Sequence, residues 1–347
     1  MGADRTPYAG LTPEVVLDAL DAVGFRGDGR LVALNSYENR VYLVYLEDGG
    51  SLVAKFYRPG RWSDEQIAEE HAMLAELAQA EVPAVAPMPL AATAGAAGSP
   101  DSAGARATIL AGGCLARWGD FRFAVFPRRG GRAPELDQPG VLEWIGRFIA
   151  RIHAVGARRR FITRPSVDPR SLGEAARSAV LESGLLPPAC EGAWLRAVDQ
   201  VLELVRARFA SLPGLNIIRL HGDCHPGNVL WTDEGPHFVD FDDARNGPAV
   251  QDLWMLLSGR SSASAAELTP LLGGYESIRP FDHRELALIE PLRSLRLIHY
   301  SGWLASRWDD PAFPAAFPDF GSSRYWNERT HELLEQLAEL EDHGPGH

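Results

Sequence analysis

The sequence predicts an α+β protein of two lobes, the first built on an antiparallel β-sheet and the second mainly helical. Three observations carry this reading. Residues 41–46 (VYLVYL) and 51–57 (SLVAKFY) are β-rich runs on either side of the tight turn EDGG, a hairpin signature. Further on, residues 141, 142, 145, 148, 149 and 152 are apolar at helical spacing, the stripe of a buried helix. A chain of 347 residues with 46% hydrophobic composition has enough apolar material for one large core or two moderate ones. Strand signal at FRFAVF gives way to the connector PRRGGR, so the lobes are expected at 1–125 and 126–347.

Each element has its own local cause. Thr12, Pro13 and Gly24 frame a short amphipathic helix as cap, first-turn proline and stop. LVAL at Leu31 reads as the strand before the hairpin, which leaves LNSYENR as an inter-strand loop. With the 51–57 hairpin and FRFAVF, a mostly antiparallel sheet of five strands is expected. Ser63 with Gln66 has capping-box spacing and opens a helix over 64–80. Its inner face is predicted to hold Ile67, His71, Leu74 and Leu77, with Glu70 beside them and Glu69 turned away. Glu70 then either finds a partner on the buried side or sits on a rim that reaches water. Residues 91–118 are rich in Ala, Gly and Ser and without periodicity, and read as a loop or mobile hairpin. Further helices are expected over 141–156 and in WLRAVDQVLELVRARFASL.

Composition excludes several function classes. A formal charge of −12 opposes general nucleic-acid binding, which depends on surplus Lys and Arg. No apolar run is long enough for a bilayer span and the first residues lack a signal-peptide core, so a cytoplasmic, membrane-free monomer is expected. Cys114, Cys190 and Cys224 lack CxxC spacing and read as free thiols.

The chemistry lies in IIRLHGDCHPGNVLWTDEGPHFVDFDD. A strand ending at Leu220 leads into the polar loop HGDCHPGN, and a short hairpin follows before a second acidic loop. Asp223, Asn228 five residues later and Asp240 twelve beyond that are thereby placed at strand ends. Phosphoryl transfer needs those types: a carboxylate to orient an acceptor hydroxyl and take its proton, and hard oxygen ligands for Mg2+ against the phosphates of ATP. The His-to-Asp and Asp-to-Asn offsets of residues 221–228 equal those of a kinase catalytic loop, H-R-D-x-x-x-x-N. The order and spacing favour this over a Gly/Pro/Asn turn with solvated carboxylates. A metal-hydrolase reading of His221, Asp223 and His225 lacks further ligands at useful spacing. His221 is expected to brace the backbone and not to transfer protons.

Lys55 is the only lysine of the chain, set in the apolar strand LVAKFY, while the other 33 basic residues are arginines. A compact ammonium kept there suits contact with α- and β-phosphates, with Glu70 as its ion-pair partner. The alternative is an edge-strand lysine pointing to solvent.

These residues, together with LNSYENRVY, VAKFYRPGRWSDEQIAEEH, IEPLRSLRLIHY and RWDDPAFP, give the chain a nearly full-length resemblance to the aminoglycoside phosphotransferase and choline kinase superfamily, and within it to the bacterial stress response kinases. The resemblance implies a protein-kinase-like two-lobed fold with ATP in the cleft between the lobes. It also implies Ser/Thr protein kinase activity that includes autophosphorylation, and a part in surviving stress. Carried over by position, it puts the catalytic Asp on Asp223, the magnesium ligands on Asn228 and Asp240, with Asp240 also counted as catalytic, and the ATP-contacting serine on Ser36. The loop after Leu34 has no glycine before Leu46, so the resemblance departs from the glycine-rich phosphate loop of ordinary protein kinases. Phosphate contact then falls to Ser36, to backbone N–H groups and to Asn39 or Arg40. Residues 91–118 look like a surface insertion, and Asp252 looks like a structural carboxylate that braces the catalytic loop.

The acceptor stays open at this level. Protein hydroxyls follow from the resemblance. A small alcohol such as choline, homoserine or an aminoglycoside is the alternative, for which Tyr300, Trp303 and Trp308 supply candidate pocket aromatics, unless they are core. A catalytically inactive nucleotide-binding scaffold is the remaining alternative. It has no need to keep base, metal ligands, lysine and glutamate together.

Overall fold

Thr12 Oγ1 accepts from the backbone N–H of Val15 at 3.4 Å and begins α1 (Pro13–Asp21), whose Val16, Ala19 and Leu20 are buried. The structure is a computed structural model that describes residues 6–92, 107–110, 112–259 and 265–342. By its contacts the chain divides into two units: Met1–Ala133 with Val229–Asp242, and Pro134–Asn228 with Asp243–His347.

In the first unit β1 (Gly27–Ala33), β2 (Arg40–Leu46) and β3 (Ser51–Tyr57) form an antiparallel meander, and α2 (Asp64–Gln79) follows. Both halves of the capping box are formed: Ser63 Oγ accepts from Gln66 N at 3.2 Å and Gln66 Oε1 from Ser63 N at 2.9 Å. The inner face of α2 buries Ile67, Glu70, His71, Leu74 and Leu77.

Short β4 (Thr108–Ile109) and β5 (Ala116–Trp118) lead to β6 (Phe121–Pro127), and the sheet order is β1-β2-β3-β6-β5-β4. Among the described residues this sheet has six strands where five were expected. β4 and β5 come from the 91–118 stretch, part of which lies outside the described residues. β4 and β5 pair antiparallel as a short hairpin, one of the two readings left open for that stretch, and strands of two or three residues leave no periodicity that would fix their bounds. Phe56 and Phe123 stack across β3 and β6 with centroids 5.3 Å apart and no exposed surface. Burying each such ring stabilises the fold by about 1.5–3 kcal/mol.

The second unit begins with α3 (Val141–Gly156), α4 (Ala175–Ser183) and α5 (Pro188–Ala210), then β7 (Ile218–Leu220). Next come β8 (Val229–Thr232) and β9 (Gly235–Phe238), a hairpin that belongs to the first unit. Trp231 and Arg132 exchange backbone hydrogen bonds of 2.7 and 3.1 Å, and Phe238 N donates to Pro83 O at 2.8 Å. The chain re-enters the second unit through β10 (Arg245–Gly247), which pairs antiparallel with β7. It continues through α6 (Val250–Trp254), α7 (Ala265–Glu276), α8 (Ile289–Ala305), α9 (Ala312–Ala316) and α10 (Ser323–Asp342). α3 packs on α7, α4 on α8 and α5 on α10. The T-shaped pair Trp194–Trp326 lies in the α5–α10 seam with centroids 5.3 Å apart. Among the described residues no helix is long and apolar enough to cross a membrane.

Candidate active site

β3 lies between β2 and β6, so Lys55, opposite Val41 on one side and Ala124 on the other, is an interior residue of the sheet and only 7% exposed. It is not an edge lysine. Its Nζ stands 3.1 Å from both Asp240 Oδ1 and Asp242 Oδ1. Burial on its own would lower the ammonium's pKa, but Asp240, Asp242 and Glu70 outweigh it and hold the group well above its ordinary value. Glu70, 1% exposed on the inner face of α2, is therefore on the buried side of the two readings open to it and adds its charge to those of the aspartates.

Asp242 is the member of this cluster that the sequence reading did not single out. Besides Lys55 it pairs with Arg61 and accepts from Asn39 Nδ2 at 3.1 Å. Asn39 Oδ1 accepts from Arg58 N at 3.1 Å, so both amide atoms of Asn39 tie the LNSYENR loop to β3 and to the acidic loop. A phosphate contact by the Asn39 side chain would break this bracket. Ser36 lies in the same loop, half-buried, and among the described residues its hydroxyl makes no hydrogen bond. Asp240 has φ 59°, in the left-handed region, and its side chain is 54% exposed. Asp tolerates that conformation better than most residues, and holding it there aims an open carboxylate away from the ladder of β9.

In the second unit β7 delivers the loop 221–228, which is fastened from behind by Asp252 on α6. His221 N and Gly222 N each donate to it at 2.8 Å, one to each carboxylate oxygen. His153 Nε2 lies 3.0 Å from Asp252 Oδ2, and its Nδ1 3.0 Å from Tyr275 Oη, which accepts from Arg279 Nη1 at 2.6 Å. Burial lowers the pKa of His153, so the ring is neutral: Nε2–H donates to Asp252 and Nδ1 accepts from Tyr275. Burial alone would raise the Asp252 carboxyl, but His153, His221 and the Gly222 N–H pull it below the ordinary range. The chain Arg279–Tyr275–His153–Asp252 thus ends on the backbone of the candidate catalytic loop. Gly222 has φ 88°, and a Cβ there would lie 2.1 Å from Asp243 O, so glycine is required.

On this base Asp223 is partly exposed, its Oδ1 2.6 Å from Arg296 Nη1 and its Oδ2 3.6 Å from His225 Nε2. Asn228 Nδ2 donates to Asp223 O at 2.9 Å, which leaves Asn228 Oδ1 open as an acceptor. The hairpin register Val229↔Phe238 puts Asn228 before its first residue and Val239-Asp240 after its last. Taken singly, Asn228 offers an amide oxygen and Asp240 a carboxylate that Lys55 already meets at 3.1 Å, both hard oxygen donors of the kind that suits Mg2+. The zinc-type set fares differently: His221 is wholly buried, and His225 Nδ1 accepts from Gly227 N at 3.0 Å. Burial raises the Cys224 thiol well above its usual pKa, so it is no nucleophile.

The family model "Phosphotransferase enzyme family" matches residues 30–289. Stress response kinase A of Escherichia coli (strain K12) is 41% identical over 332 residues, 96% of this chain and 94% of that protein. The serine/threonine protein kinase RdoA of Salmonella typhimurium is 41% identical over 346 residues, 99% of this chain and 97% of that protein. Among solved structures, amicoumacin kinase in complex with AMP-PNP, Ca2+ and Ami is similar at a TM-score of 0.67 and 19% identity, over 96% of this chain and 94% of that one. Fold and relatives together define an ATP-dependent phosphotransferase with a kinase-like α+β architecture. The chain belongs to the phosphotransferase enzyme family and, within it, to the relatives of stress response kinase A.

Proposed function

We propose that the chain is an ATP- and Mg2+-dependent serine/threonine protein kinase of the bacterial stress response, acting in the cytoplasm on protein hydroxyls, its own included. The observation that carries the reading is the 221–228 loop, where a part-exposed Asp223 is held on a backbone fixed by Asp252 while Asn228 keeps its amide oxygen free. Asp223 orients the acceptor hydroxyl and takes its proton as the new oxygen–phosphorus bond forms and the bond from the γ-phosphorus to the β–γ bridging oxygen breaks, with ADP as the leaving group. Asn228 and Asp240 hold Mg2+, which when bound neutralises charge on the β- and γ-phosphates. Lys55, kept charged by Asp240, Asp242 and Glu70, meets the α- and β-phosphates, and the Ser36 hydroxyl donates to a phosphate oxygen.

Protein hydroxyls are preferred because a relative named as a serine/threonine protein kinase is 41% identical, whereas the fold neighbours whose names give small acceptors are near 19%. The experiment is incubation with γ-labelled ATP and Mg2+, alone and with choline or homoserine, with D223N and D240N as controls. Label on protein supports the kinase reading. Label only on the alcohol moves the enzyme to the small-molecule class, and turnover no higher than D223N leaves a nucleotide-binding scaffold.

A further inference from the structure

Beside Asp223 the second unit contains a cavity of about 300 Å³ whose walls, among the described residues, carry His225, Arg293, Arg296 and Arg329 and no carboxylate, with Trp254 and Tyr300 as apolar faces. Two of its walls touch the catalytic base directly, since Arg296 and His225 are the two neighbours of the Asp223 carboxylate. Arg293, Arg296 and Tyr300 recur at helical spacing along one face of α8, and Arg329 comes from α10.

The cations are balanced from behind, but incompletely. Arg296 is held by Asp223, Arg293 Nε lies 3.3 Å from Glu290, and Arg329 Nη2 lies 2.6 Å from Glu332. Glu290 also accepts from Gln336 Nε2 at 2.5 Å, and the second oxygen of Glu332 is buried without a hydrogen-bond partner. Arg293 Nη2 and Arg329 Nε are likewise buried without a hydrogen-bond acceptor. The two guanidinium groups lie over Trp254 and Tyr325, 5.2 and 5.3 Å from the ring centroids. A buried guanidinium N–H left unpaired is costly, and an incoming anion would recover that cost.

We infer that this cavity is the acceptor's specificity pocket and that it takes a carboxylate or phosphate borne close to the hydroxyl that receives the phosphoryl group. The inference rests on the kinase reading, under which the anion is an Asp, Glu or phosphorylated residue flanking the target Ser or Thr. A cavity of this volume holds one side chain or a small hydroxy acid. A choline- or aminoglycoside-like cation would meet three guanidinium groups whose carboxylate partners are already engaged, so a cation is disfavoured there relative to an anion.

The test separates recognition from transfer. Binding is measured by calorimetry on the full chain, using an acidic peptide with Ala at the acceptor position, a neutral peptide and a basic one. R293K keeps the charge beside Glu290 but loses the fork, and R329M removes the other donor. The acidic peptide is expected to bind best, and each variant to weaken it by about tenfold or more. A basic peptide that binds as well as the acidic one, or variants within about twofold of the parent for the acidic peptide, would overturn the pocket's role. Transfer is then followed with Ser restored in the peptides, and with malate as a free hydroxy acid. An acidic peptide bound but unlabelled, with malate labelled, keeps the anion pocket and sinks the protein-kinase reading. Labelling of neutral and basic peptides in preference to acidic ones does the reverse.

Discussion

Arg296 Nη1 lies 2.6 Å from Asp223 Oδ1, so the carboxylate proposed to take the acceptor's proton is already paired with a cation from α8. The pair is partly exposed and is worth little to stability, about 0–1 kcal/mol. Its weight falls on orientation. Asp223→Asn is expected to lower transfer by about 10²–10⁴-fold while nucleotide affinity stays near the parent value. Single-turnover transfer and a separate nucleotide titration check this, and near-parent transfer in D223N removes Asp223 from the chemistry.

Lys55 has two jobs that conservative variants can separate. Lys55→Met leaves Asp240 and Asp242 without their ammonium and is expected to cost about 3–5 kcal/mol, because one partner of a largely buried cluster is lost. Lys55→Arg keeps a cation beside Asp240 and Asp242 and should restore most of that stability, but not ATP turnover, since a planar fork spreads the charge that one compact ammonium would bring to the phosphates. Urea melts and the KM for ATP give the two readings. Equal stability of parent and K55M would mean the aspartates need no cation.

Gly222→Ala combines a left-handed backbone with a Cβ 2.1 Å from Asp243 O and is expected to displace the loop that carries Asp223. Gly184, at φ 67° with nothing within 4 Å of a built Cβ, is the control for backbone strain alone. G184A should cost about 1 kcal/mol. G222A should cost more than that and abolish transfer in whatever fraction still folds. Comparable melting temperatures for the two variants would count against the steric argument.

Glu285 is 2% exposed and accepts from Val250 N, at the start of the helix that bears Asp252, at 2.9 Å. Burial raises its pKa from 4.5 to about 7, against the pull of the Val250 N–H. The folded chain therefore holds this proton more tightly than the unfolded chain. The group's contribution to stability is whole below its unfolded value and is lost as pH rises through about 7. The loss is about 3 kcal/mol at most. Glu285→Gln, whose Oε1 can still accept from Val250, should raise the melting temperature at pH 8 and leave it nearly unchanged at pH 4.5. A pH-independent gap between the variant and the parent would show that the carboxyl does not titrate in this range.

The sequence exposed what depends on short, directional rules. Asp223, Asn228 and Asp240 follow from offsets around a strand and a hairpin, and Ser63–Gln66 from a capping box, because each is set within a few residues of chain. Asp242 was missed although it adjoins the acidic loop: its role is set by Lys55, Arg61 and Asn39, about 180 to 200 residues away in the chain, and only folding brings these together. β4 and β5 were legible only as a loop or hairpin without bounds, because so few residues hold no period. Of the candidate aromatics, Tyr300 lines the cavity beside Asp223, while Trp303 meets Phe313 edge-on and Trp308, beyond the end of α8, packs tilted against Phe320. All three are aromatic, and only the fold separates them.

Lys55 is the chain's single side-chain amine and is set in the middle of the first unit's sheet. A protease that cuts only after lysine therefore finds one scissile bond in the whole molecule, between Lys55 and Phe56, flanked by β2 and β6. Cleavage of the folded protein must wait until β3 leaves its neighbours, and the helical unit offers that protease no bond at all. When cutting is slow relative to reclosing, the rate measures how often the sheet alone opens. Saturation with nucleotide would slow the cut by a factor that grows exponentially with the free energy that binding adds to that opening. A residue kept for one charge thus makes the stability of one unit readable separately from the other.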